Sequence, residues 1–229
     1  LNPLLMAIVI SIVFQNFFKF AVPNFAVYYL TGSLIFNFMN EATSSAMVSI
    51  VGNAPLIKKV YIPKYIFPLE KVMFAFVNML FSMIALVIMM GVTKLGIIGS
   101  AADLNISWTI VLFFIPMLYT LVFSLGLGLI LAAVNVYFRD VGHLYSVWTM
   151  AWMYLTPIIY PMDIVEGTWV MNVIRLNPMY YFVTYFRDVV TNGTVPGLKT
   201  NLLCMGISLL FLVLGLWVFK KKQDRFILF

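Results

Sequence analysis

The sequence has little from which to build a metal centre, a disulfide or a catalytic triad. Cys204 is the one cysteine and His143 the one histidine in 229 residues. No disulfide can therefore close within the chain, and redox chemistry does not report its compartment. His143 has no Cys, Asp or Glu at ligand spacing, which argues against a metal site. The cysteine and the histidine also fall in segments assigned to different places, so no Ser/His/Asp or Cys/His arrangement is indicated. A G-x-x-x-x-G-K-[ST] loop is missing, so this chain does not itself bind a nucleotide by a P-loop. Charge is scarce as well: 10% of residues are charged, against roughly a quarter in soluble domains.

What the chain does have is apolar length. It is 63% hydrophobic, in continuous runs rather than runs alternating with period two, which predicts an all-α integral membrane protein. Six transmembrane helices are expected: Leu1–Phe18, about Ala26–Ile50, Val72–Val92, Ile106–Ala133, Leu144–Met162 and Leu202–Phe219. At 1.5 Å per residue each comes close to, or exceeds, the ~30 Å hydrocarbon core. The first run has neither a basic flank nor a small-residue cleavage site, so it reads as a span and not a signal peptide. The natural chain is expected to carry residues before Leu1. Between the fifth and sixth spans, Asp163–Asn201 is neither clean span nor clean loop. Its apolar pieces, Trp169–Leu176 and Met179–Val190, are each too short to cross and are separated by Asn177-Pro178. Pro178 removes a donor and discourages helix in the residue before it. Two short helices dipping into one leaflet are expected there, surrounded by protein or water.

Basic residues set the expected orientation. One set of loops and the tail hold Lys58, Lys59, Lys64, Lys71, Arg139, Lys220, Lys221, Lys222 and Arg225; the opposite set holds Lys19, Lys94, Arg175, Arg187 and Lys199. Nine against five places the first set in the cytoplasm, with both termini. The net charge of +6 is then a property of cytoplasmic loops, and nucleic acid is not an expected partner. Gly126 and Gly128, with Ser124 nearby, predict a close helix contact on the fourth span.

Three groups of residues invite a functional reading. On the second span Asn37, Asn40, Glu41, Ser44 and Ser45 recur at helical spacing on one face. An ionisable group in a span generally faces a bundle interior or an aqueous cavity. Interhelical bonding, a subunit contact and a translocation path all remain open for this face. On the fifth span Tyr145, Trp148 and Trp152 form an aromatic stripe, which is either packing or a surface for sugar rings. The third group is the loop Asn53–Lys71. Asn53 suits a helix cap and Pro55 a first turn. Leu56, Ile57, Val60 and Tyr61 then share one face, with Lys58 and Lys59 opposite, until Pro63. Such an amphipathic turn lies on lipid or fits a groove in a partner. Arg139, in NVYFRD after the fourth span, reads as an anchor to lipid phosphate.

The stretch GNAPLIKKVYIPKYIFPLEKV (Gly52–Val72) resembles the corresponding loop of the polysaccharide-export permeases of ATP-binding-cassette transporters, which move teichoic acid, capsule and O-antigen. LGLGLILAAVNVYFRDVGHL (Leu125–Leu144), YLTPIIYPMDIV (Tyr154–Val165), LNPMYYFVTYFRDVV (Leu176–Val190) and KKQDRFILF (Lys221–Phe229) are similar to later parts of the same family, in its order. The family's cytoplasmic interface helix before the first span has no counterpart here. The resemblance implies one permease domain over 1–229, with a coupling helix at 53–62 and an extracellular gate region at 163–195. Asn53, Leu56, Ile57, Lys58, Lys59, Val60 and Tyr61 would meet the ATPase subunit. Asn37, Asn40, Glu41, Tyr145, Trp148 and Trp152 would line the substrate path, with Arg139 at its cytoplasmic entrance. Asn177, Pro178, Tyr180, Tyr181 and Arg187 would belong to the gate. It further implies a second copy of the chain and a lipid-linked glycan substrate. ATP and Mg would be bound by the partner and no cofactor by this chain, in a bacterial inner membrane.

Two other readings compete. A permease for drugs or small hydrophobic molecules has the same architecture. A membrane-embedded polyprenyl-phosphate transferase needs acids converging at one face. Glu41, Glu70, Asp103, Asp140, Asp163, Glu166, Asp188 and Asp224 are instead scattered through the sequence.

Overall fold

A computed structural model describes Leu5, Met6, Ile8, Val9, Val13 and residues 24–60, 62–95 and 107–223. Most of the expected first span lies outside the described residues, as do Tyr61, Arg225 and the last six positions. Eight α-helices of six residues or more follow in order: α1 (Phe25–Gly52), α2 (Ala54–Lys59), α3 (Ile66–Lys94), α4 (Phe114–Tyr137), α5 (Val141–Tyr154), α6 (Val170–Arg175), α7 (Pro178–Val190) and α8 (Leu198–Lys222). A 3-10 segment, Trp108–Phe113, leads into α4. No strand occurs among the described residues.

Three helical stretches among the described residues are long and apolar enough to cross a membrane: Ile66–Lys94, Trp108–Tyr137 and Leu198–Lys222. They correspond to the third, fourth and sixth expected spans, the third and sixth lengthened at both ends and the fourth extended to Tyr137. α1 has the length for a span at 28 residues, but its polar stripe keeps it out of that apolar set. The fifth expected span is corrected. α5 stops at Tyr154 after 14 residues, about 21 Å, and 155–161 is irregular. Pro157 and Pro161 are the reason, since each removes a donor and disfavours helix just before it.

The described residues divide into two compact units. Unit 1 comprises the described residues within Leu1–Phe36, Met79–Met117 and Met153–Asn201, and unit 2 those within Asn37–Asn78, Leu118–Trp152 and Leu202–Phe229. In unit 2, a core of Ile50, Phe67, Leu129, Ala132, Ala133, Val136 and Phe219 joins the ends of α1, α3, α4 and α8. The expected glycine contact is there: a methyl built on Gly128 would meet Ala46 Cβ at 2.9 Å. One built on Gly126 would fall on the backbone of Phe211 and Leu212, and one on Gly215 would fall on Gly126 itself. In unit 1, α7 is the centre of packing. Phe182, Val183, Tyr185, Phe186, Val189 and Val190 are all buried, and Thr109 donates to the Val189 carbonyl at 3.0 Å.

Candidate functional site

The basic end of unit 2 is assembled by α2 and the helix ends around it. Pro55 sits in the first turn of α2, where the missing N–H costs nothing, and Val60 ends the helix in extended geometry at φ −129°. Asn53 holds the cap position but does not cap; its Nδ2 donates instead to the Ser49 carbonyl on α1 at 2.8 Å. The expected apolar face is split. Ile57 turns inward against the unit 2 core, whereas Leu56 and Val60 are 43% and 49% exposed. Lys58 and Lys59 are exposed beside them. Nearby, Lys64 Nζ donates to the Gln223 carbonyl at 2.6 Å and the Tyr137 hydroxyl to the Lys222 carbonyl at 3.2 Å. The chain's basic clusters Lys58–Lys64 and Lys220–Lys222 thus gather at one end of the unit, and Arg139 is exposed just past the end of α4.

The polar face of α1 divides by depth. Thr43 and Ser49 are buried and bond back to the Met39 and Ala46 carbonyls at 2.7 Å, so their hydroxyls are satisfied within the helix. Asn37 and Glu41 are exposed, and Asn40, Ser44 and Ser45 half-buried. Ser44 donates to Asn40 Oδ1 at 3.2 Å, and Asn78 of α3 donates to Glu41 Oε1 at 2.7 Å. Asn78 was not singled out by its sequence, where it is one amide in a long uncharged run.

The aromatic stripe of α5 does not face one way. Tyr145 and Trp152 are buried while Trp148 is 58% exposed. The Tyr145 hydroxyl lies 2.6 Å from Thr43 Oγ1. Because Thr43 donates to Met39, Tyr145 is the donor in that pair. Trp152 packs edge-on to Phe123 at 6.3 Å. Of the three aromatics, Trp148 is the one with a surface to offer.

In unit 1 the expected Asn177-Pro178 break is also a built cap. Asn177 Oδ1 accepts from the Met179 N–H at 2.9 Å, and Pro178 occupies the first turn of α7. The Asn177 amide donates to Thr156 Oγ1 at 2.8 Å and the Leu155 carbonyl at 3.1 Å, binding α7 to the irregular segment after α5. Tyr180 and Tyr181 meet edge to face at 5.0 Å, and Tyr181 donates to the Arg175 carbonyl at 2.8 Å.

Arg187, expected at a gate, is buried inside the unit. Its guanidinium donates to the Pro157 carbonyl at 2.6 Å, the Tyr28 carbonyl at 3.0 Å and Thr31 Oγ1 at 3.4 Å. It also lies 3.6 Å above the Tyr28 ring, while the Tyr28 hydroxyl donates to the Tyr160 carbonyl at 2.9 Å. Gly32 leaves room for it, since a methyl there would come 2.6 Å from Nη2. The two carbonyls and the Thr31 hydroxyl offset the cost of burying the guanidinium. Tyr28, Thr31 and Gly32 lie over 150 positions from Arg187, so sequence spacing gave no sign of this cluster.

Residues 1–191 match the family described as ABC-2 type transporter. Two O-antigen export system permease proteins RfbA of Klebsiella pneumoniae are 28% and 25% identical, over 98% of this chain and 83% of theirs. A protein of that name from Myxococcus xanthus is 25% identical over 99% of this chain and 84% of its own.

Proposed function

This chain belongs to the ABC-2 type transporter family, and from that premise we propose that it is the membrane subunit of an ATP-driven exporter of lipid-linked polysaccharide. In this reading two copies assemble with two ATPase subunits in a bacterial inner membrane. The glycan, of O-antigen or teichoic-acid type, moves from the cytoplasmic leaflet outward. The observation that carries it is likeness along nearly the whole chain to relatives named as O-antigen export permeases.

The geometry supports particular roles. α2 meets the ATPase with Leu56 and Val60 as its apolar contacts and Lys58 and Lys59 around them. Arg139 stands at the cytoplasmic entrance, where its charge attracts a lipid-linked phosphate. Asn37, Glu41 and Trp148, exposed on helices with spans as neighbours, line the path together with the half-buried Asn40. Tyr145 and Trp152 fix the position of α5 and take no direct part. Asn177, Pro178, Tyr180, Tyr181 and Arg187 hold the outer gate region together. Six spans, with α6 and α7 re-entrant on the outer side, complete the proposed topology.

The test is to express this gene with its neighbouring ATPase gene in a strain lacking its own exporter, and to quantify glycan on the cell surface. Restored display, abolished by a hydrolysis-deficient ATPase, is expected. Export of a fluorescent dye without glycan would overturn the reading in favour of a small-molecule permease.

A further inference from the structure

Glu41 is an exposed carboxylate at the middle depth of a helical bundle. Counting from the basic end of unit 2, it stands eleven residues before Gly52 on α1, and Asn78 stands twelve after Ile66 on α3. At 1.5 Å per residue these are about 16 and 18 Å; measured from the apolar edges Ile50 and Val72, past the exposed Glu70–Lys71 pair, they are about 14 and 9 Å, so the pair lies about a third to a half of the way into a ~30 Å core. A carboxylate against lipid tails at that depth is costly, and the Asn78 amide answers only one of its two oxygens.

The surface around it has a definite chemistry. Asn37 is exposed, and Asn40 uses its carbonyl to accept from Ser44, which leaves its amide N–H groups as donors. The face thus offers an acceptor at Glu41 and donors one turn away. Hydroxyl groups, which both donate and accept, answer such a pattern; hydrocarbon does not. A closed contact between two copies fits less well. An isologous interface sets a face against itself, and no Lys or Arg stands among Asn37, Asn40, Glu41, Ser44 and Ser45 to separate two carboxylates.

We infer that Glu41 and Asn78, with Asn40, form a hydroxyl-binding station that favours uncharged sugar units of the transported polymer over phosphodiester-bearing ones. This inference rests on the exporter reading and narrows it. A fixed negative charge midway repels each phosphate that passes, so the substrate is a neutral polysaccharide of O-antigen type rather than a teichoic acid. Asn78 is a positioning residue that orients the carboxylate, while Glu41 and Asn40 touch the sugar.

The test uses the full chain with its ATPase subunit in proteoliposomes. Two probes of similar length are compared: a neutral hexose polymer and a poly(glycerol phosphate), each on polyprenyl diphosphate. Wild type is expected to move the neutral polymer at least fivefold faster. E41Q, which keeps weaker hydroxyl bonding without charge, is expected to lower neutral transport about threefold and to raise phosphodiester transport about fivefold, so that the preference collapses. The apolar double variant E41L/N78L is expected to assemble normally and lose about tenfold in neutral transport, the scale of one charged hydrogen bond. Three results would overturn the station: normal neutral transport by E41L/N78L, loss of self-association in that variant, which makes the face a subunit contact, or wild type preferring the phosphodiester polymer. If wild type moves neither polymer, the exporter reading falls and the station falls with it.

Discussion

Replacing Arg187 with alanine removes the donor that binds α7, α1 and the segment after α5 to one another. Three hydrogen bonds are lost, to Pro157, Tyr28 and Thr31, together with the stacking on Tyr28. Hydrogen bonds to a charged group are worth about 1.5–3 kcal/mol each, and losing the shared donor leaves neutral buried acceptors unmet, about 3–5 kcal/mol in all. The acceptors here are partly served by others: Pro157 also accepts from the Tyr28 hydroxyl at 3.3 Å and Tyr28 from Thr31 at 2.9 Å. The lower end, about 3 kcal/mol, is therefore the expectation for R187A. For a chain of this size that is a fall of roughly 6–12 °C in midpoint, read as heat-induced loss of the monodisperse species in detergent. R187K keeps the charge, but a single ammonium cannot reproduce the fork, so an intermediate loss is expected. The decisive measurement is a cycle with Gly32, whose added methyl would meet Nη2 at 2.6 Å. G32A is expected to destabilise the wild-type background clearly and the R187A background little. Equal effects in both backgrounds, or an R187A midpoint within a degree of wild type, would refute the account of this cluster.

Three further expectations follow from the geometry. L56S/V60S removes exposed side chains, so thermal stability should stay within about 0.5 kcal/mol while co-purification of the ATPase subunit falls sharply; retained co-purification would sink the docking role of α2. Gly126→Val puts bulk onto the backbone of α8 and should cost more than about 3 kcal/mol by overpacking, seen as loss of folded protein on gel filtration; normal yield would mean that the helices do not meet there. Asn177→Ala removes the cap of α7, worth about 1 kcal/mol, and also frees the Thr156 contact. Faster proteolysis after α5 is expected, and unchanged digestion would speak against that tie.

Much of this molecule is written in runs that hydropathy reads well. α3, α4 and α8 appear where charge is missing over a bilayer's width, and α3 and α8 overrun their apolar runs at both ends because helices continue into interfacial polar residues. Hydropathy is blind to proline, which is why Leu144–Met162 reads as one span although α5 stops before Pro157. The Asn177-Pro178 break was legible because cap and proline chemistry are local. The α5 stripe was legible only as a spacing. Tyr145 and Trp152, seven residues apart, point within about 20° of each other, whereas Trp148 is turned by about 60°, enough to separate buried from exposed. The amphipathic turn α2 was legible in composition, but Ile57 packs on the unit 2 core and Leu56 and Val60 do not, a choice made by a core that α1, α3, α4 and α8 assemble together. The family resemblance of Leu176–Val190 places Arg187 at a gate; its partners on α1, Tyr28 and Thr31, are a product of tertiary packing alone.

The crossing of α4 and α8 has a mechanical side. Gly126 and Gly215 bring two backbones together, with the Ser208 hydroxyl donating to the Tyr119 carbonyl at 2.8 Å about two turns earlier on α4, and a contact confined to one stretch is a fulcrum about which two rods can scissor. About 16 Å further along α4, the Tyr137 hydroxyl holds the Lys222 carbonyl and the Lys222 ammonium lies 5.0 Å from the Tyr137 ring. A second fixed point removes the scissoring freedom, because rods pinned twice form a braced frame. Within unit 2, α4 and α8 are therefore braced as one strut, and in the proposed exporter a stroke entering at α2 would fall to α1 and α3, the two helices that flank it in sequence and carry Glu41 and Asn78.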